Sequence, residues 1–287
     1  MKFKKIVSLL LTTILAGALF GGCGQNEEVN QQKHENTSQK LGIISKMNAS
    51  EQQLSDYMGK YGSMYGIKST QNNQVVFYDN LNFMIMGLKS KSIDKMSTYK
   101  CVGNYIIERN SDVEILSENL NLIDEFCFAV RKEDTELLDN INNALKSMKD
   151  DDTLNKLIKE YIYDFKYNNV QKVDIAKIDG ADTIKVGITG DLPPLDLVLA
   201  DGTPSGFNTA VLSEVSKRIN KNIELVQIDS GARAAALTSK QIDVIFWATT
   251  PKGDALKTFP EGIDKPDSVE FSSPYYEDDI IHVALKK

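Results

Sequence analysis

The chain has 287 residues, a net charge of −7, 41% hydrophobic and 25% charged residues. These are ordinary globular values, sufficient for two modest cores. An acidic chain without clustered Lys and Arg argues against a nucleic-acid partner, because phosphate neutralisation needs basic clusters.

Lys2, Lys4 and Lys5 precede an uncharged apolar run from Ile6 to Phe20, which stops at Gly21-Gly22-Cys23. A basic start, a short apolar stretch and small residues before a cut site describe a signal peptide over residues 1–22, too short to span a bilayer. LFGGC resembles the lipobox of bacterial lipoproteins. That likeness implies that Cys23 is lipidated and that the mature protein is held extracytoplasmically at the membrane surface. Removing the three lysines takes the charge from −7 to −10. Residues 23–40 read as the lipidated cysteine and a polar tether without apolar period.

Beyond the tether, strand and helix patterns alternate. LGIIS (41–45) reads as a strand and residues 50–66 as a helix, with Asn48 or Ser50 as its cap. VVFYD (75–79) is a strand, LNFMIMGLKSK a helix, and Ile93-Asp94 opens another strand. FCFAVRK (126–132) is an apolar strand. DTELLDNINNALKSMK and DTLNKLIKEYI then form a helical pair with one apolar face each, Asp134 and Asp152 suiting their N-terminal ends. Residues 166–183 lose all period and read as a surface linker. IKVGIT (184–189) is a strand, 207–221 a helix, IELVQID (223–229) a strand, GARAAALTSK a helix, and IDVIFWAT the next strand. IIHVALK (280–286) closes the chain as a strand. The helix ends GLKSKSID and ALTSKQID repeat 149 residues apart. Strand–helix–strand units of this kind build parallel sheets, so the fold class is α/β with two lobes.

GDLPPLDLVLADGTPSGF, IELVQID, LTSKQIDVIFW and VEFSSPYYEDDIIHVAL resemble the opening half of family 3 bacterial extracellular solute-binding proteins. FCFAVRK and KEDTELLDNINNALKSMKDDDTLNKLIKEY resemble their closing half. The resemblance implies a type II periplasmic-binding-protein-like fold, circularly permuted, with a hinge of two crossover strands, Phe126 to Lys132 beside Ile280 to Lys286. Residues 41–125 would be the small lobe, 126–165 the return strand and closing helices, 166–183 the permutation linker, and 184–287 the large lobe. It implies a monomer that delivers a small polar, amino-acid-like solute to an ABC permease, with no cofactor and no catalytic residue. The alternatives are a dehydratase-like enzyme on the same scaffold, using Asp191, Asp196 or Asp229, or a sensor or scaffold lipoprotein.

Ligands of open α/β sheets sit at the carboxyl ends of strands. That rule nominates Asp191, Leu195, Arg233, Trp247 and Thr249 from the large lobe and Ser45, Asn48 and Tyr99 from the small one. Arg233, in the first turn of an Ala-rich helix, is the candidate to grip a carboxylate. Tyr57, Tyr61 and Tyr65 at helical spacing read as a packed face. The family's carboxylate-binding arginine has no counterpart in TTPKGDALKTFPEGIDKPDS. Its ammonium-binding aspartate is replaced by Ser97, Thr98 and Tyr99, and its aromatic after PP by Leu195. No histidine-based metal site is expected, since His34 and His282 lie in the tether and in an apolar strand. Cys101 and Cys127 are either a disulfide or two buried thiols.

Overall fold

The computed structural model describes residues 38–166 and 170–287. The expectations for the leader, for Cys23 and for the tether up to residue 37 lie outside the described residues.

The first part of the chain alternates β1 (Gln39–Ile44), α1 (Glu51–Tyr65), β2 (Asn73–Tyr78), α2 (Leu81–Lys89), β3 (Lys95–Tyr99), α3 (Lys100–Arg109) and β4 (Val113–Ile115). β1 starts at Gln39, so the last two residues assigned to the tether are strand. β1 lies between β2 and β3 and is parallel to both, with Leu41 opposite Val75 and Lys95. α1 and α2 are the crossovers that parallel neighbours require. α1 begins where Ser50 Oγ accepts from Gln53 N while Gln53 Oε1 accepts from Ser50 N. This reciprocal capping box satisfies two N–H groups that the helix cannot pair itself. Leu54, Met58 and Tyr61 then form its buried stripe.

β5 (Ile123–Arg131) follows, then α4 (Thr135–Asp150) and α5 (Thr153–Ile158). The expected aspartate caps are corrected here. Asp134 makes no cap hydrogen bond, because Arg131 Nη2 holds its carboxylate at 2.7 Å. At the second helix Asp151 Oδ1, not Asp152, accepts from Thr153 N.

The second part comprises β6 (Thr183–Ile188), β7 (Asp191–Leu192), β8 (Asp196–Val198), β9 (Pro204–Ser205), α6 (Phe207–Ile219), β10 (Asn222–Gln227), α7 (Arg233–Thr238), β11 (Val244–Lys252), β12 (Val269–Phe271) and β13 (Tyr276–Leu285). Gly206 heads α6 at φ 97°, a conformation that L side chains rarely adopt. A Cβ there would lie 2.7 Å from the carbonyl oxygen of Leu195 and 2.9 Å from that of Pro194. This close approach lets Phe207 N and Asn208 N donate to the same two carbonyls.

The ten-stranded sheet runs β10-β6-β11-β5-β13-β3-β1-β2, with β12 on β5 and β4 on β13. Its two halves meet where β5 and β13 pair antiparallel, Ile123–Phe126 opposite Tyr276–Asp279. The expected pairing of 126–132 with 280–286 is corrected: the two strands do pair, but through 123–126 and 276–279, whereas Ile280–Leu285 pairs with β3 and β4. Past the junction β5 runs between β11 and β12, and β13 runs between β3 and β4. Each strand therefore crosses at its first residues and belongs to one half for the rest.

Residues 170–182 are pinned rather than loose. Asn222 Oδ1 accepts from Ile178 N, its Nδ2 donates to the Ile178 and Ala181 carbonyls, and Val173 is buried. Cys101 and Cys127 are free, buried thiols. Burial pushes the Cys127 thiol up to about 12.

Candidate functional site

The carboxyl ends of β1 and β3, the start of β5 and the middle of β11 enclose a cavity of about 100 Å³. Its polar lining includes Lys46, Tyr99, Asp124, Trp247, Thr249 and Asp264, with Ser97 and Thr98 beside Tyr99; Leu54, Met58, Leu122, Phe259, Ile263 and Ile280 give it an apolar side. The sheet half built on β1 and β3 supplies one wall, and β11 the other. The segment after β11 closes it. Phe259 packs on α1 with ring centroids 5.8 Å from Tyr57 and 5.9 Å from Tyr61. Beyond it, Asp264 Oδ1 accepts from Met47 N at 2.6 Å and Asn48 N at 2.9 Å. The tyrosine face read from the sequence is thus covered by the chain itself.

Trp247 owes its position to an irregularity. β11 does not end there but continues to Lys252, with a register shift against β5 between Ile245 and Ala248. Such bulges re-aim side chains. The ring is 3% exposed and lines the cavity, and its Nε1 has no hydrogen-bond partner among the described residues.

Arg233 lies behind this ring, 1% exposed, with Cζ 4.1 Å from the ring centroid. Its Nε donates to Ser230 O, Nη1 to Trp247 O and Nη2 to Ser45 O. The guanidinium ties the end of β1 to β11 and does not line the cavity. Burial lowers its pKa, against the opposing pull of Asp264, Tyr99 and Asp196.

Inside the cavity, Tyr99 Oη lies 3.5 Å from Asp124 Oδ2 and 3.4 Å from Thr249 Oγ1. Burial pushes Tyr99 up to about 12 and raises Asp124. Lys46 follows Ser45 just past the end of β1. Burial pulls its ammonium down, but Tyr99, Asp264 and Asp124 outweigh that and raise it. Lys46 has neither hydrogen bond nor ion pair among the described residues.

Tyr99, Trp247 and Thr249 are therefore brought together at one cavity. The other sequence candidates do different work. Leu195 is core at 0% exposure. Ser45 Oγ donates to Asp79 Oδ1, and its carbonyl accepts from Arg233. Asn48 holds the covering segment through its N–H and through Nδ2 to Ile263 O. Asp191 faces a separate open crevice shared with Asn80 and Phe83, where Oδ2 accepts from Leu81 N at 2.8 Å. There burial raises its pKa to about 6. Asp196, fully buried, accepts from the N and Oγ1 of Thr189. Sequence reasoning missed Lys46, Asp124 and Asp264. Lys46 lies between the nominated Ser45 and Asn48, whereas nothing local distinguishes Asp264 from other loop aspartates.

Among the described residues no helix is long and apolar enough to cross a membrane, and no group of three or more His, Cys, Asp or Glu gathers as for a metal.

The fold is similar to that of the ligand-binding component of an ABC-type import system from Staphylococcus aureus, with zinc bound (TM-score 0.41, 13% identity, 86% of this chain and 65% of that one). It is also similar to a periplasmic substrate-binding protein of an ABC transporter from Coxiella burnetii (0.38, 10%, 86% and 84%). A third similar fold is the GluR0 ligand-binding core from Nostoc punctiforme in complex with L-glutamate (0.38, 10%, 87% and 85%). The chain thus spans slightly less than two thirds of the first of these. No curated protein matches the sequence. The sequence model for bacterial extracellular solute-binding proteins, family 3, matches residues 38–164 and 184–287, most of the chain. The chain belongs to the bacterial extracellular solute-binding proteins, family 3.

Proposed function

We propose that this protein captures a small, amino-acid-like solute between its two sheet halves and delivers it to the permease of an ABC importer. The observation that carries this reading is the cavity walled by Tyr99 on one side and Trp247 and Thr249 on the other. A solute inside it touches both halves and favours the closed arrangement through those added contacts. Family membership supports transport over catalysis.

Cys23 is the lipid anchor in this reading, and the chain from Gly24 to the start of β1 its tether. Residues 166–183 join the two ends of a circularly permuted family member, with the family's second lobe coming first. The family match in two segments on either side of this stretch supports that view. Replacing Cys23 with Ser should release the protein from the membrane fraction; retention there would remove the anchor.

Solute capture is tested by titrating a small-molecule library. The expected result is a ligand-dependent rise in melting temperature together with a change in emission of Trp247, the sole tryptophan. A library that includes amino acids and yields neither response rules the reading out.

A further inference from the structure

We propose that Lys46 and Trp247 anchor a carboxylate of the solute, whose apolar body lies against Leu54, Met58 and Phe259. This inference rests on the solute-capture reading and names the residues and ligand chemistry of that site.

Two donors line the cavity without a partner among the described residues, the Lys46 ammonium and the Trp247 indole N–H. A buried N–H left unpaired carries its full desolvation cost. The stacked Arg233 guanidinium covers the face of the indole, leaving its edge for recognition. Both groups donate only, so what completes them is an acceptor, and the positive ammonium selects an anionic one. Of the acceptors nearby, Asp264 Oδ1 takes two backbone N–H groups, Asp124 Oδ2 and Thr249 Oγ1 lie beside Tyr99 Oη, and neither carboxylate forms an ion pair with Lys46. Arg233, the residue expected to grip a carboxylate, already donates to three main-chain carbonyls. The pair comes from the end of β1 and from the bulge of β11, so an anion between them bridges the halves. Apart from Asp124, Asp264 and a few hydroxyls, the wall is aliphatic and aromatic, which places the uncharged part of the ligand there.

The test titrates the full-length protein with matched acids, amides and amines of the same tail: isobutyric, isovaleric, isocaproic and benzoic acids, their amides, and the corresponding amines, with leucine added. Binding is read by calorimetry and by Trp247 emission. The acids should bind about 10- to 100-fold tighter than their amides, the range for a charge-assisted hydrogen bond. Lys46→Met should erase that preference and Lys46→Arg should keep part of it, while Trp247→Phe should weaken acid and amide alike. If amides or amines bind as well as acids, the carboxylate anchor is wrong and solute capture stands. An acid preference that survives in Lys46→Met also overturns the assignment of Lys46. If nothing in the panel binds at millimolar concentration, the anchor is wrong, and solute capture falls with it only if the wider library also gives no response.

Discussion

Arg233→Ala tests the largest departure of the structure from sequence expectation. An arginine at a cleft should lose ligand affinity on truncation and leave stability intact. Here the fully buried guanidinium donates to the carbonyls of Ser230, Trp247 and Ser45 and stacks on Trp247. Hydrogen bonds to a charged group contribute about 1.5–3 kcal/mol each, and the stack about 0.5–2 kcal/mol. Several kcal/mol of guanidinium desolvation offset that sum. Truncation leaves three carbonyls facing a cavity that water fills only in part, so the expected net loss is about 3–5 kcal/mol. For a chain of this size that is a fall of roughly 6–20 °C in melting temperature. Urea unfolding of the unliganded protein, followed by circular dichroism, measures it directly. Arg233→Lys should recover less than half, because one ammonium cannot reach three divergent carbonyls and stack as well. A loss below about 1 kcal/mol for Arg233→Ala would refute the reasoning and return Arg233 to the ligand.

Three further outcomes follow from local geometry. Burial raises Asp191 to about 6. Its folded form therefore holds more protons than the unfolded one, and its stabilising contribution, full below about pH 4, is lost as pH rises through 6. Asp191→Asn should thus gain stability relative to wild type between pH 4 and 7; a flat difference in melting temperature across that range contradicts this. Glu118 is held near 2 chiefly by His282 Nδ1 at 2.9 Å, with Ser69 Oγ adding to it. Burial lowers His282, so the neutral ring donates from Nδ1. Glu118→Gln should cost about 1–3 kcal/mol at neutral pH. That cost should shrink only as pH falls from 4.5 toward 2, which unfolding curves at several pH values will measure. Ser50→Ala breaks the capping box of α1 and should cost about 0.5–2 kcal/mol, with Ser50→Gly milder by hydrogen exchange of the first turn.

The sheet and its order of elements were readable because they depend on short-range periodicity. Val75 to Tyr78 form a β-branched and aromatic run, Ile184 and Val186 alternate around Lys185 as in a strand, and Val211, Val215 and Ile219 repeat at helical spacing. The cavity was readable only where it coincides with strand ends: Tyr99 closes β3 and was found, as was Thr249 near the end of β11. Trp247 was found for a different reason than assumed, since a bulge rather than a strand end turns it inward. What sequence could not supply was the path of residues 253–264. That stretch has neither strand nor long helix period, yet Ala255, Phe259 and Ile263 fold back onto α1 and bring Asp264 to the amides of Met47 and Asn48. Those contacts join residues more than two hundred positions apart, and no local pattern encodes them. The role of Arg233 was hidden for the same reason: its third carbonyl, that of Ser45, lies 188 positions away. Once those long-range contacts are in place, the arginine is fully engaged, and the unpaired donors that remain at the cavity are Lys46 and Trp247. In the proposed anchor, recognition then passes from Arg233, which the sequence favours, to Lys46 beside the end of β1.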